Sequence, residues 1–184
     1  MVSGDTMTKL SEEHSIEMLR LAEKTKEEIK EKLKIIPGKS INFSEEEVES
    51  LLDYRYYNEG TFSILQLLYP DLDYRNKFHI DHIYPKSKFN QKYLKKQNVD
   101  FSQLYDCNYL ANLQLLYGSQ NIEKSKREFK DWLDENFSEE EKKEYFKKNY
   151  IPTNIDFTFK NYNEFLLARD ELLLKQLKKI LLEK

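Results

Sequence analysis

Apolar residues recur at helical spacing through SEEHSIEMLRLAEKTKEEIKEKLK, residues 11–34, where Ile16, Leu19, Leu21, Ile29 and Leu33 stand among charged positions. This pattern predicts an amphipathic helix that ends before Pro37-Gly38, with His14 as a surface histidine of its first turn. Ser44 followed by Glu45, Glu46 and Glu47 has the form of a capping box. It predicts a second acidic helix over 45–57, whose apolar face is Val48, Leu51 and Leu52. Beyond Gly60 the run TFSILQLLY predicts a short buried helix, stopped by Pro70.

After Pro70 the period changes from helical to alternating. Phe78 and Ile80, with His82 continuing the series, alternate with His79 and Asp81, and the β-formers Ile83 and Tyr84 precede Pro85. One short strand is expected there. Residues 87–111 read as helix or loop, and NLQLLY at 112–117 supplies a second strand. Gly118-Ser119 is expected to turn the chain into a helix starting NIEKSKREFKDWL, with Ile122, Ser125, Phe129 and either Trp132 or Leu133 facing inward. A last helix from Asn161 to Leu182 carries a dense leucine stripe that reads as core. The fold class is α+β and mostly helical: a two-stranded antiparallel hairpin plus helix embedded in helices. Residues 1–70 form an N-terminal helical region, 71–135 the core around the hairpin and 136–184 a C-terminal helical region, together one compact unit.

Composition adds three constraints. Four Gly and four Pro in 184 residues leave few breaks and suit helices. A single cysteine, Cys107, excludes an internal disulfide and a cysteine-rich zinc knuckle, and reads as a small buried hydrophobe of a reducing cytoplasm. Neither a signal peptide nor a long apolar run is evident, which predicts a cytoplasmic protein without a membrane partner. Net charge is −3, but it is unevenly spread: residues 75–130 hold 11 basic against 5 acidic residues, or +6, between flanks of −7 and −2. A local basic region matters more to a polyanion than the mean charge.

That basic middle contains FHIDHIYPKSKF, with two of the chain's three histidines around one aspartate. Hydrolysis of a phosphodiester needs a base to activate water, a cation to bear developing charge and donors to hold the phosphate. A histidine beside a carboxylate, with amide and lysine side chains from a following helix, can supply these. Neighbours on a regular strand point to opposite faces, so Asp81 and His82 can share a site only where the strand kinks or ends.

The series His79-Ile80-Asp81-His82-Ile83-Tyr84-Pro85, then Asn112-Leu113, then Asn121 and Lys124 three apart on a helix, resembles the HNH motif of ββα-metal nucleases. LLDYRYYNEGTFSILQLLYPDLDYRNKFHIDHIYPKS and ANLQLLYGSQNIEKSKREFKDWL resemble the C-terminal nuclease domain of GmrSD-like modification-dependent restriction enzymes, over about residues 48–135. The resemblance implies a metal-dependent DNA endonuclease active in restriction of foreign or modified DNA. His82 would be the general base, Asp81 and Asn121 metal ligands, and Asn112 the holder of the loop that orients His82. Lys124 would face the scissile phosphate, while His79 stays open between an additional ligand and a phosphate contact. An oxygen-rich Asp81–Asn121 pair suits Mg²⁺, with Mn²⁺ or another transition metal more competitive if His79 also ligates.

Lys86, Lys88, Lys92, Lys95 and Lys96 after the first strand, with Lys126, Arg127 and Lys130 beyond the second, are expected to contact DNA phosphates. The family also implies a ParB-like nucleotide-handling domain or subunit as partner, and no DGQQR-like signature of one occurs in this sequence. Two other readings stay open: a ribonuclease with the same site, and a non-catalytic nucleic-acid-binding or subunit-docking module that meets its partner through the acidic helices.

Overall fold

The structure is a computed structural model that describes residues 43–182. The expected helix over 11–34 lies outside the described residues. Ser44 opens the first described helix as its capping box predicts: its hydroxyl accepts from the Glu47 amide at 3.1 Å and the Glu47 carboxylate accepts from the Ser44 amide at 2.8 Å. This helix, α1 (Glu45–Ser50), tightens into a 3-10 turn over Leu51–Asp53 and stops before residue 57. The reason is tertiary, because Tyr54 turns extended and Arg55 forms an isolated antiparallel bridge with Tyr109. Helix α2 (Thr61–Leu68) buries Thr61, Ile64, Leu65 and Leu68 and ends at Tyr69, since the residue before Pro70 is disfavoured in helical geometry.

Two five-residue strands follow, β1 (Phe78–His82) and β2 (Leu113–Tyr117), paired antiparallel with Asp81 opposite Gln114 and His82 opposite Leu113. The connection between them carries a short helix, α3 (Gln91–Lys96), and 3-10 turns, of which the last (Leu110–Asn112) leads into β2. Asn112 therefore stands ahead of the second strand and not within it.

Gly118 does not turn the chain away from β2. It begins α4 (Gly118–Lys124) directly, and the expected continuous helix breaks at Ser125, whose φ of 45° lies in the left-handed region. A separate helix, α5 (Phe129–Asn136), then buries Phe129, Trp132 and Leu133 together. The break also overturns two inward assignments, because Ile122 is 78% exposed and Ser125 is exposed.

Helices α6 (Glu139–Lys148) and α7 (Tyr162–Leu181) complete the described domain. The buried face of α7 runs Tyr162, Phe165, Leu166, Arg169, Leu173 and Leu177, so its leucine stripe is core as expected. One hydrophobic cluster joins Val48 and Leu65 to Ile83, Leu115, Trp132, Phe165 and Leu173. The hairpin is thus embedded among helices from both sides of it in sequence, in a mostly helical α+β arrangement. Among the described residues no helix is long and apolar enough to cross a membrane.

Candidate active site at the end of the first strand

β1 ends at His82, and from there Asp81 and His82 send their side chains to different surroundings. The Asp81 carboxylate, 8% exposed, accepts through Oδ2 from Gln114 Nε2 at 2.9 Å and pairs with Lys124 Nζ at 2.9 Å. Gln114 is the cross-strand neighbour that the antiparallel register dictates, and its own Oε1 accepts from the Tyr145 hydroxyl of α6. Lys124 is fully buried, and its ammonium also donates to the His82 carbonyl at 2.7 Å. Burial pushes the Lys124 ammonium below its ordinary pKa, and the Asp81 charge opposes that shift. The ammonium therefore faces the strand end and not an open phosphate-binding surface, contrary to expectation. At the end of the ladder the His82 carbonyl and the Asp81 carboxylate both need a donor, and one lysine meets both.

The His82 ring lies at 4.7 Å from the Tyr56 ring, tilted by 33°, and its Nε2 is 3.1 Å from Asn108 Oδ1. Burial pushes the imidazole below its ordinary pKa. The Asn108 bond and the Asp81 charge pull it back, while Lys86 and Lys124 push it down again. The net shift is downward, which favours the neutral ring, the form able to accept a proton.

Asn112 clamps the chain just beyond His82. Its Oδ1 accepts from the Tyr84 amide at 2.8 Å, its Nδ2 donates to the Tyr84 and Cys107 carbonyls at 3.1 and 2.8 Å, and its own carbonyl accepts from the Ile83 amide at 2.8 Å. Arg169, fully buried on α7, donates to the Ala111 and Leu113 carbonyls on either side of it at 2.7 and 2.8 Å. The clamp is itself held from the core.

Asn121 sits one helical turn before Lys124 on α4, hence on the same helix face, and is half-buried. Among the described residues no hydrogen bond reaches its side-chain amide or Asp81 Oδ1. Asp81 Oδ1 and the Asn121 amide oxygen are both hard donors, and the Lys124 ammonium already pairs with the other Asp81 oxygen. Oxygen donors of this kind suit a hard divalent cation such as Mg²⁺. No group of three His, Cys, Asp or Glu residues able to hold a metal occurs among the described residues. His79, half-buried, approaches the start of α4: a Cβ on Gly118 would stand 3.7 Å from its Nε2.

Of the expected phosphate contacts, Lys86 is exposed, adjoins the site with its ammonium 5.9 Å from the Tyr56 ring centre, and affects the His82 charge. The Lys88 ammonium lies over Tyr93 at 4.4 Å. Lys95 and Lys96 are exposed at the end of α3, where neither forms an ion pair among the described residues. Arg127 is already paired with Glu135 at 2.5 Å.

Several partners escaped the sequence reading. Gln114 could have been found by aligning the two strands, since the register places it opposite Asp81. Tyr56, Asn108 and Arg169 carry no such signal, because loops and a remote helix bring them in.

No curated protein matches the chain. The family model of the GmrSD restriction endonucleases, C-terminal domain, matches residues 22–176, which takes in every residue of the site. The chain belongs to the GmrSD restriction endonuclease C-terminal domain family.

Proposed function

We propose that the end of β1 is the active site of a divalent-metal-dependent DNA endonuclease acting in restriction of foreign or modified DNA. The observation that carries this reading is the double hold on one strand end: Lys124 grips Asp81 and the His82 carbonyl, and Asn112 grips the backbone of the next two residues. Such a hold fixes a neutral imidazole beside a carboxylate, which pre-organisation of a hydrolytic site requires.

In this mechanism His82 takes a proton from the water that attacks phosphorus, and the scissile bond to the leaving oxygen breaks. Asp81 and Asn121 would hold the cation; when bound, it supplies positive charge for the phosphate and the leaving oxygen. Asn112 keeps the strand end in place through the reaction. Lys124 acts by positioning Asp81 and the His82 backbone, and Lys86 is the basic side chain best placed to meet a phosphate. Choice of DNA would fall to a nucleotide-handling domain or subunit working with this one.

The test is cleavage of supercoiled plasmid by the full chain. Mg²⁺ or Mn²⁺ should support nicking, excess chelator should stop it, and Asp81→Ala and Asn121→Ala should each remove the metal-stimulated rate. Undiminished cleavage in chelator, with the Asp81→Ala protein as active as wild type, would overturn the assignment. Cleavage of RNA but not plasmid would reassign the substrate.

A further inference from the structure

A neutral imidazole can carry its single proton on either ring nitrogen, and only the other can act as base. The surroundings of His82 decide which. Asn108 turns its amide toward two neighbours, with Oδ1 at 3.1 Å from His82 Nε2 and Nδ2 at 2.8 Å from Asp106 Oδ1. That Asp106 oxygen also accepts from the Asn108 backbone amide, so it is an acceptor and the NH₂ group is the part of the side chain that faces it. The amide oxygen is thereby committed to His82, and an oxygen of this kind can only accept.

The loop that presents this amide is held on several sides. The Asn108 backbone amide donates to the same Asp106 oxygen at 3.0 Å, and its carbonyl accepts from the Tyr56 amide at 2.9 Å. The Tyr162 hydroxyl donates to the Asp106 carbonyl at 3.2 Å, and the Cys107 carbonyl accepts from Asn112. The Tyr56 ring rests against the imidazole and opposes its rotation.

We infer that Asn108, oriented by Asp106, is a positioning residue that keeps the proton of neutral His82 on Nε2 and leaves Nδ1 as the nitrogen that takes the proton of the attacking water. The inference rests on His82 being the base. Neither Asn108 nor Asp106 belongs to the motif that carries the family resemblance, and Asn108 touches no reacting atom in this scheme.

The ring can be read without turnover. In the metal-free full chain with ¹⁵N-labelled histidine, assigned with the help of His14→Gln and His79→Gln, multiple-bond ¹H–¹⁵N spectra at a pH where His82 is neutral report which nitrogen is protonated. Wild type should show a protonated Nε2, with its proton protected from solvent exchange, and an unprotonated Nδ1. Asn108→Leu should lose that protection and slow plasmid cleavage by ~10–100-fold, the range for removing a group that orients a working histidine. Asp106→Asn frees the Asn108 amide to turn over and should fall between the two. Wild-type His82 protonated on Nδ1 would overturn the inference whatever the variants do, and so would an Asn108→Leu protein whose ring signals and cleavage rate match wild type. The underlying reading fails separately: if Asn108→Leu alters the ring as expected but His82→Ala cleaves at the wild-type rate, the proton is placed by Asn108 and His82 is not the base.

Discussion

The last two residues of β1 end in unlike surroundings. Around Asp81 the polar groups answer one another: Lys124 and Gln114 meet the carboxylate, and Tyr145 meets Gln114, all of them buried. Around His82 the walls are Tyr56, 41% exposed, and Asn108 on a half-buried loop. The Asp81 side pairs one carboxylate oxygen with buried partners and leaves the other unbonded among the described residues, whereas the His82 side holds an equally buried ring against a partly exposed tyrosine and a loop. A strand end with both can hold a carboxylate against a buried lysine and still keep an imidazole in its neutral form.

The sharpest way to break this contrast is to unpair the Asp81 side. Lys124→Met keeps the bulk of the side chain but leaves Asp81 buried without its cation, and it should cost about 3 kcal/mol of stability in denaturant unfolding. Asp81→Asn in the same protein should restore most of that loss, because the stranded charge is gone. A loss below ~1 kcal/mol for Lys124→Met would mean the pair behaves like an exposed one.

Asp170 offers a smaller test of the same physics. It neighbours the buried Arg169, yet burial pushes its carboxyl up to about 6 against the pull of Arg169 and Arg55, and no hydrogen-bond donor meets it among the described residues. The native state therefore holds this proton more tightly than the unfolded chain, and stability contributed by the protonated form is lost as pH rises from about 4 through about 6. Asp170→Asn should raise stability at pH 7 by ~1 kcal/mol, partial exposure moderating the effect, with no gain below about pH 4. Melting curves across that range check it, and an equal gain at all pH values would contradict the assignment.

The contrast also marks what could be read from the residues alone. The Ser44 capping box, the stop at Pro70, the hairpin and the buried stripe of α7 are local patterns, and each appears where its pattern lies. The helix break at Ser125 is not local. Ile122 and Ser125 fit an inward-facing helical series until Lys124 is drawn under β1, after which the chain turns left-handed and leaves Ile122 outside. In the same way a lysine three residues after an asparagine reads as a phosphate contact, and only the packed structure shows its ammonium turned to Asp81. Asn108 belongs to a loop with no periodicity, so its place beside His82 follows from the fold and from nothing nearer in sequence.

The central claim is that His82 is the proton acceptor of a hydrolytic site, and plasmid nicking by His82→Ala tests it most directly. Measured in Mg²⁺ alongside wild type, with matching circular dichroism, the variant should cleave ~10²–10⁴-fold more slowly, the usual contribution of a general base. A folded His82→Ala protein that nicks plasmid at close to the wild-type rate would contradict the account.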